Sequence, residues 1–162
     1  MFNKLKNIFI KKEHTKHCTI YKTKDCYKIV TMSESDIGAY IADGEIFISP
    51  VLDNIENLKL KIFQALNNSR LGVKTPEPEQ WSIWQKEHLK SLKEKSFKHL
   101  YKNCTHCNIE LKNKSLTIYP LKETYPKGLE LVEEGIIEME YSPEKELEIT
   151  EKIIEVLNKS YK

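Results

Sequence analysis

Two short segments hold the side chains most able to do chemistry. Cys104-Thr-His106-Cys107 brings together two thiols and an imidazole, and His14-Thr-Lys-His17-Cys18 brings together two imidazoles and a thiol. A Cys-x2-Cys knuckle joined by a second ligand pair is how a tetrahedral zinc ion is held. The second segment is not a matching knuckle, however. Cys18 and Cys107 also stand just ahead of runs that read as strands, where a small buried side chain is suited. We read these cysteines as core positions and expect no metal and no cofactor, keeping a zinc-stabilised interaction domain as an alternative. Cys107 beside a histidine base also outlines a thiol nucleophile. Any cysteine in a chain with five histidines permits that outline. Gly-x-Ser-x-Gly, His-Glu-x-x-His and phosphate-cradling glycine loops are missing from the sequence, and five glycines in 162 residues leave little room for one. No catalytic residue is assigned, and the chain is not expected to be an enzyme.

The elements that position these segments recur along the chain. Cys18-Thr-Ile20 followed by Tyr27-Lys-Ile29 has a counterpart in Cys107-Asn-Ile109 followed by Leu116-Thr-Ile118, offset by 89. Asp43 to Ile48 corresponds to Glu134 to Met139, and Ile62 to Ser69 corresponds to Ile153 to Ser160, both offset by 91. One strand-strand-helix unit is half a core, and a second copy completes it. Alternation predicts two strands between Lys16 and Met32, a short strand over 37–42 and another over 45–49. Asp53 with Glu56 predicts a capping box for a helix whose apolar stripe is Ile55, Leu58, Ile62, Ala65 and Leu66. A connector with Gly72, Pro76 and Pro78 leads to a connecting helix at about 76–100, whose Trp81 and Trp84 are expected to pack across the junction. Strands follow at Asn108 to Leu111 and Ser115 to Tyr119. Strict alternation then sets Ile137, Met139 and Tyr141 on one face and Glu138 and Glu140 on the other. Ser142-Pro143-Glu144 starts the last helix. The predicted fold is a single α+β domain over residues 1–162. It has two strand-strand-helix pseudo-repeats, about 16–70 and 104–162, with a mainly antiparallel sheet and a connecting helix.

Composition narrows the function classes. No apolar run approaches the length that spans a bilayer, and Met1 to Ile10 holds too short an apolar stretch for a signal-peptide core. A cytoplasmic protein with four free thiols is expected. Arg70 is the single arginine among 26 basic side chains, which argues against phosphate and base readout. A nucleic-acid-binding module is still the alternative reading, with Tyr21, Tyr27 and Tyr40 interleaved among lysines. The net charge of +2 conceals segregation: residues 1–28 hold eight lysines, and residues 130–151 hold nine glutamates against the lone Lys145. A focused acidic surface attracts a basic molecule.

A further set of segments carries a family likeness. These are the helix end Ala65-Leu66-Asn-Asn-Ser69-Arg70, a tryptophan-containing connecting helix, and Leu100-Tyr101-Lys102-Asn103 leading to Cys107-x-Ile109. Leu116-Thr-Ile118-x-Pro120 and a final helix with Leu157-x-x-Ser160 complete it. Over most of residues 45–162 the chain resembles the CdiI-type immunity proteins of bacterial contact-dependent growth inhibition (CDI) systems. It departs from that pattern in a longer, lysine-rich connector after Trp84, in Tyr161 where a basic residue is expected, and in Cys104 where an apolar one is expected. The resemblance implies a cytosolic protein that binds the toxin domain at the C-terminus of a cell-surface CdiA effector and prevents self-intoxication. Such toxins are commonly nucleases, basic because they bind polyanions. On charge, the toxin-binding residues are expected to be Glu130, Glu133, Glu134, Glu138, Glu140, Glu144, Glu148 and Glu151.

Overall fold

Alternating apolar residues build an N-terminal meander. β1 (Lys16–Lys22) and β2 (Cys26–Ser35) form an antiparallel hairpin, and β3 (Tyr40–Pro50) pairs with the far side of β2. The two short strands expected over 37–42 and 45–49 are one continuous strand. A bulge between Val30 and Met32 lets the pairing run on past Asp43-Gly44, with Gly44 in the left-handed region at φ +79°. The chain is a computed structural model that describes residues 13–124, 128–159 and 161. Lys4, Lys6, Lys11 and Lys12 of the basic segment, and Ser160 of the final helix motif, lie outside the described residues.

α1 (Ile55–Asn67) follows, but its cap is Asn54 rather than Asp53. The Asn54 side chain accepts from the Glu56 N–H at 2.8 Å, while Asp53 accepts from the Asn54 N–H at 2.7 Å. α1 buries Leu58, Ile62, Phe63, Ala65 and Leu66. Beyond it lies β4 (Leu71–Val73), which the sequence did not announce, paired parallel to the end of β2.

The connecting helix is broken. A 3-10 turn at Pro78–Gln80 leads into α2 (Trp81–Ser91), and after an irregular stretch with Lys93 at φ +56° the chain resumes as α3 (Phe97–Lys102). No residue of α2 is buried. Trp81 and Trp84 are half-buried and meet edge to face at 5.4 Å, so they are not the core anchors expected of them. Leu92 and Leu100 take that role, packing with Tyr21 and Val30.

The second half contains a further antiparallel hairpin of β5 (Thr105–Lys112) and β6 (Ser115–Thr124), turning at Asn113 with φ +54°. Short β7 (Gly128–Leu131) and β8 (Ile137–Glu140) both pair with β6. A 3-10 turn at Pro143–Lys145 precedes α4 (Glu146–Leu157), so Ser142 starts the turn rather than the helix itself.

The described residues thus form eight strands and four helices, an α+β domain in one sheet ordered β3-β2-β1-β5-β6-β7. Pairing is antiparallel except at β4. α1 and α4 cover one face, burying Cys18, Ile20, Ile29, Cys107, Ile109 and Ile118 against Ile62 and Ile153. Each such aliphatic side chain contributes about 1.5–3 kcal/mol on burial. Gly135 lies where the edge of this arrangement is tightest. A Cβ there would stand 2.7 Å from Pro120 Cγ and 3.1 Å from Tyr161 Oη. Gly135→Ala is therefore expected to cost about 1–3 kcal/mol by overpacking, measured by urea unfolding.

Candidate functional site

The sheet face opposite α1 and α4 is only half covered. The β2–β3 side lies beneath Leu92, Phe97 and Leu100 of the connector. On the β1–β5–β6 side the second face forms a cleft of about 210 Å³ lined by His17, Thr19, Tyr40, Asn108, Glu110 and Tyr119. Strand register explains this set. His17 stands opposite Glu110, Glu110 opposite Thr117, and Thr117 opposite Glu138, a lateral row across β1, β5, β6 and β8. In the next row Thr19 faces Asn108 and Asn108 faces Tyr119, with the Thr19 hydroxyl donating to Asn108 Oδ1 at 2.8 Å. The His17 ring lies tilted against that of Tyr40, with centroids 3.9 Å apart and planes inclined by 48°, and its Nε2 lies 3.8 Å from Glu110. Burial is the main cause lowering the His17 pKa to about 4, with the charge of His14 adding and that of Glu34 opposing.

The cysteine and histidine constellation does not converge. β5 begins at Thr105, so His106 and Cys107 are neighbours in a strand and point to opposite faces. Cys18 and Cys107 lie in the helix-covered core, while His106 sits with Tyr21 and Tyr101 on the other side at 5.4 and 5.8 Å. Among the described residues no group of three or more His, Cys, Asp or Glu is arranged to hold a metal ion. Burial raises the Cys18 and Cys107 pKa values and pushes Cys104 up to about 12, so these sulfurs stay as thiols and are poor nucleophiles. The tyrosines of the nucleic-acid reading are also divided: Tyr21 and Tyr27 are buried on opposite faces, and Tyr40 is exposed.

The eight expected glutamates fall into separate places. Glu138 and Glu140 project from β8 on the open sheet face, since Ile137 and Met139 between them pack into the core. Glu138 accepts from Ser115 Oγ at 2.8 Å, and Glu140 pairs with Lys145 at 2.6 Å. Glu148 and Glu151 are exposed on α4, whose Ile149 and Ile153 are buried, so the sheet separates them from Glu138. Glu144 is exposed in the turn before α4. Glu130 is half-buried in β7 opposite Lys122, and Glu133 and Glu134 are exposed in the following turn. Sequence reasoning missed His17, Asn108, Glu110 and Tyr119. For Glu110 a signal existed: it alternates with the apolar Ile109 and Leu111.

Comparison with known proteins bears on this geometry. Residues 16–153 match the model of the CdiI family, described as CDI immunity protein. Among solved structures, the chain is similar to a protein of unknown function from Neisseria meningitidis. That likeness has 22% identity and a TM-score of 0.67, and covers 88% of this chain and 95% of that one. It is likewise similar to the CdiA-CT/CdiI toxin and immunity complex from Yersinia pseudotuberculosis, at 14% identity and a TM-score of 0.67, covering 90% and 98%. At these identities the structural likeness speaks for a common fold. No curated protein matches the chain. The family match extends from β1 into α4 and so takes in the whole sheet and the open cleft; the chain belongs to the CdiI family of CDI immunity proteins.

Proposed function

We propose that this non-enzymatic immunity protein neutralises the C-terminal toxin domain of its cognate CdiA effector by binding it in the cytoplasm of the producing cell, with carboxylates facing a basic, nuclease-type toxin. The family match over residues 16–153 carries the reading, and the toxin and immunity complex of the Yersinia relative agrees with it. No described helix is long and apolar enough to cross a membrane. Electrostatic complementarity speeds encounter, while a few buried anchors set the lifetime of the complex.

Co-expression with the toxin domain encoded beside it should protect cells. If both proteins are soluble and cells still die, the reading is lost. Reversing Glu138 and Glu140 to lysine is expected to slow association about tenfold at low salt, and by less as salt rises. The fold should persist, because both side chains are exposed. Lys24→Glu is the control of choice, since Lys22 is bonded to Asn158 at the end of α4. Stopped-flow association rates decide between the surfaces: slowing by the lysine reversal alone would move the interface elsewhere.

We also infer that the two halves are copies of one strand-strand-helix unit. In support, Ile29 faces Ile20 as Ile118 faces Ile109, and Cys18 and Ile20 pair with Ile109 and Cys107 on either side of the Thr19–Asn108 pair. The third strands correspond one residue away from the sequence match. Phe47 lies opposite Ile29 and Ile137 opposite Ile118, so Phe47, not Ile46, is the partner of Ile137 in the comparison.

A further inference from the structure

The cleft between β1, β5 and β6 has the chemistry of a receptor for one cationic side chain. It is lined by the aromatic residues Tyr40 and Tyr119, by the polar Asn108 and Thr19, and by Glu110. With its pKa near 4, the His17 imidazole is neutral at physiological pH, so it does not neutralise Glu110. Its buried Nε2 has no hydrogen-bond partner among the described residues. A neutral imidazole accepts a hydrogen bond at its unprotonated nitrogen, which is Nε2 when the proton sits on Nδ1, as do a carboxylate and an amide oxygen. A buried acceptor without a partner is costly, and an incoming N–H donor removes that cost. Aromatic walls add attraction for a cation lying against them. A volume of about 210 Å³ admits one long side chain and excludes a folded segment.

We propose that this cleft is the anchor point of the interface, taking an arginine or lysine side chain of the toxin between Tyr40 and Tyr119 with its charge on Glu110. The inference rests on the reading of the chain as a toxin-binding immunity protein and adds to it a defined subsite. Glu138 lies two strands from Glu110 in the same lateral row, about 10 Å away by strand spacing. The two carboxylates therefore have different work. Glu138 is exposed and affects encounter, whereas Glu110 is partly enclosed and affects how long the complex lasts.

Two measurements test this. In the first, the toxin domain is bound to the wild-type protein and to Glu110→Gln, which keeps the side-chain shape and removes the charge. Affinity should fall about 30-fold, chiefly through faster dissociation, while Glu138→Gln should act chiefly on association. Thr117→Lys serves as a second variant that leaves Glu110 in place. Its ammonium stands between Glu110 and Glu138 and should weaken toxin binding comparably, with thermal unfolding checking that both variants fold. In the second, N-acetyl-arginine amide and N-acetyl-norleucine amide are titrated into the free protein and followed by NMR. Arginine amide alone should shift the Asn108 and Tyr119 signals at millimolar concentration, and Glu110→Gln should abolish the shifts. If the toxin does not bind the wild-type protein, the parent reading fails, and the amide titration still decides the cleft. Unchanged toxin dissociation from folded Glu110→Gln, or equal shifts with both amides, would overturn the proposal.

Discussion

Replacing Lys28 with methionine is expected to lower the unfolding free energy by about 3–5 kcal/mol. Lys28 is a lysine on β2 that is only 5% exposed, buried beneath the connector. Its ammonium donates to the Leu92 carbonyl at 2.6 Å and to the carboxylate of Glu94, which also meets His99 Nδ1 at 3.1 Å. Burial works to raise the Glu94 pKa, but the hydrogen bonds from Lys28 and His99 outweigh it and hold the carboxyl below its usual range. Taking away the ammonium leaves a carboxylate in a largely dry site with one remaining partner, and the Leu92 carbonyl loses its donor. The double replacement Lys28→Met with Glu94→Leu should recover most of the loss, because a packed apolar pair needs no solvation. Urea unfolding of the three variants checks this, with tryptophan fluorescence reporting whether α2 and α3 remain docked. A single-variant loss below about 1 kcal/mol would show that water reaches the pair.

Acid should destabilise the protein well before its carboxylates protonate. His106 is 5% exposed, and burial lowers its pKa to about 4. In the unfolded chain a histidine titrates near 6.5. Between those values the unfolded chain binds more protons than the folded one, so stability is complete above about pH 6.5 and falls as pH drops toward 4. His106 alone accounts for up to about 3 kcal/mol over that window. His17, also shifted to about 4, adds a further share. Hydrogen bonds from Arg70 are the main cause depressing the Asp43 pKa, and that contribution is lost only at lower pH, as Asp43 protonates. Comparing urea midpoints at about pH 7 and about pH 5.5 isolates the histidines, because the carboxylates are still ionised there. His106→Phe should flatten the decline; an unchanged slope would place the titrating group elsewhere.

The parts of this molecule legible in the sequence were those with a clean local period. The alternation Ile137, Met139 against Glu138, Glu140 placed β8 and its two faces correctly, and the Ile149, Ile153, Val156 stripe placed α4. β4 and β7, at three and four residues, are too short for any period to register. The helix expected over 76–100 failed at Lys93, where the chain turns so that Leu92 and Leu100 both reach the sheet. That choice is made by tertiary burial, not by local propensity. The apparent zinc knuckle had a similar origin. With the strand expected to start at Asn108, Cys104 to Cys107 read as a loop; once β5 starts at Thr105, period two scatters them. The cleft is least legible, because His17 and Glu110 are brought together by a strand pairing between distant parts of the chain.

That same pairing governs the order in which the protein is made. β1 and β5 form the middle of the sheet, yet a ribosome delivers β1 long before Lys112 closes β5. Until then the nascent N-terminal half can assemble β1, β2, β3 and α1, with the β1 edge that β5 later pairs and part of its apolar face uncovered. An exposed edge of this kind is a template for pairing with another chain, and long-range closure makes folding slow. The vulnerable species in this protein's life is therefore the half-synthesised one.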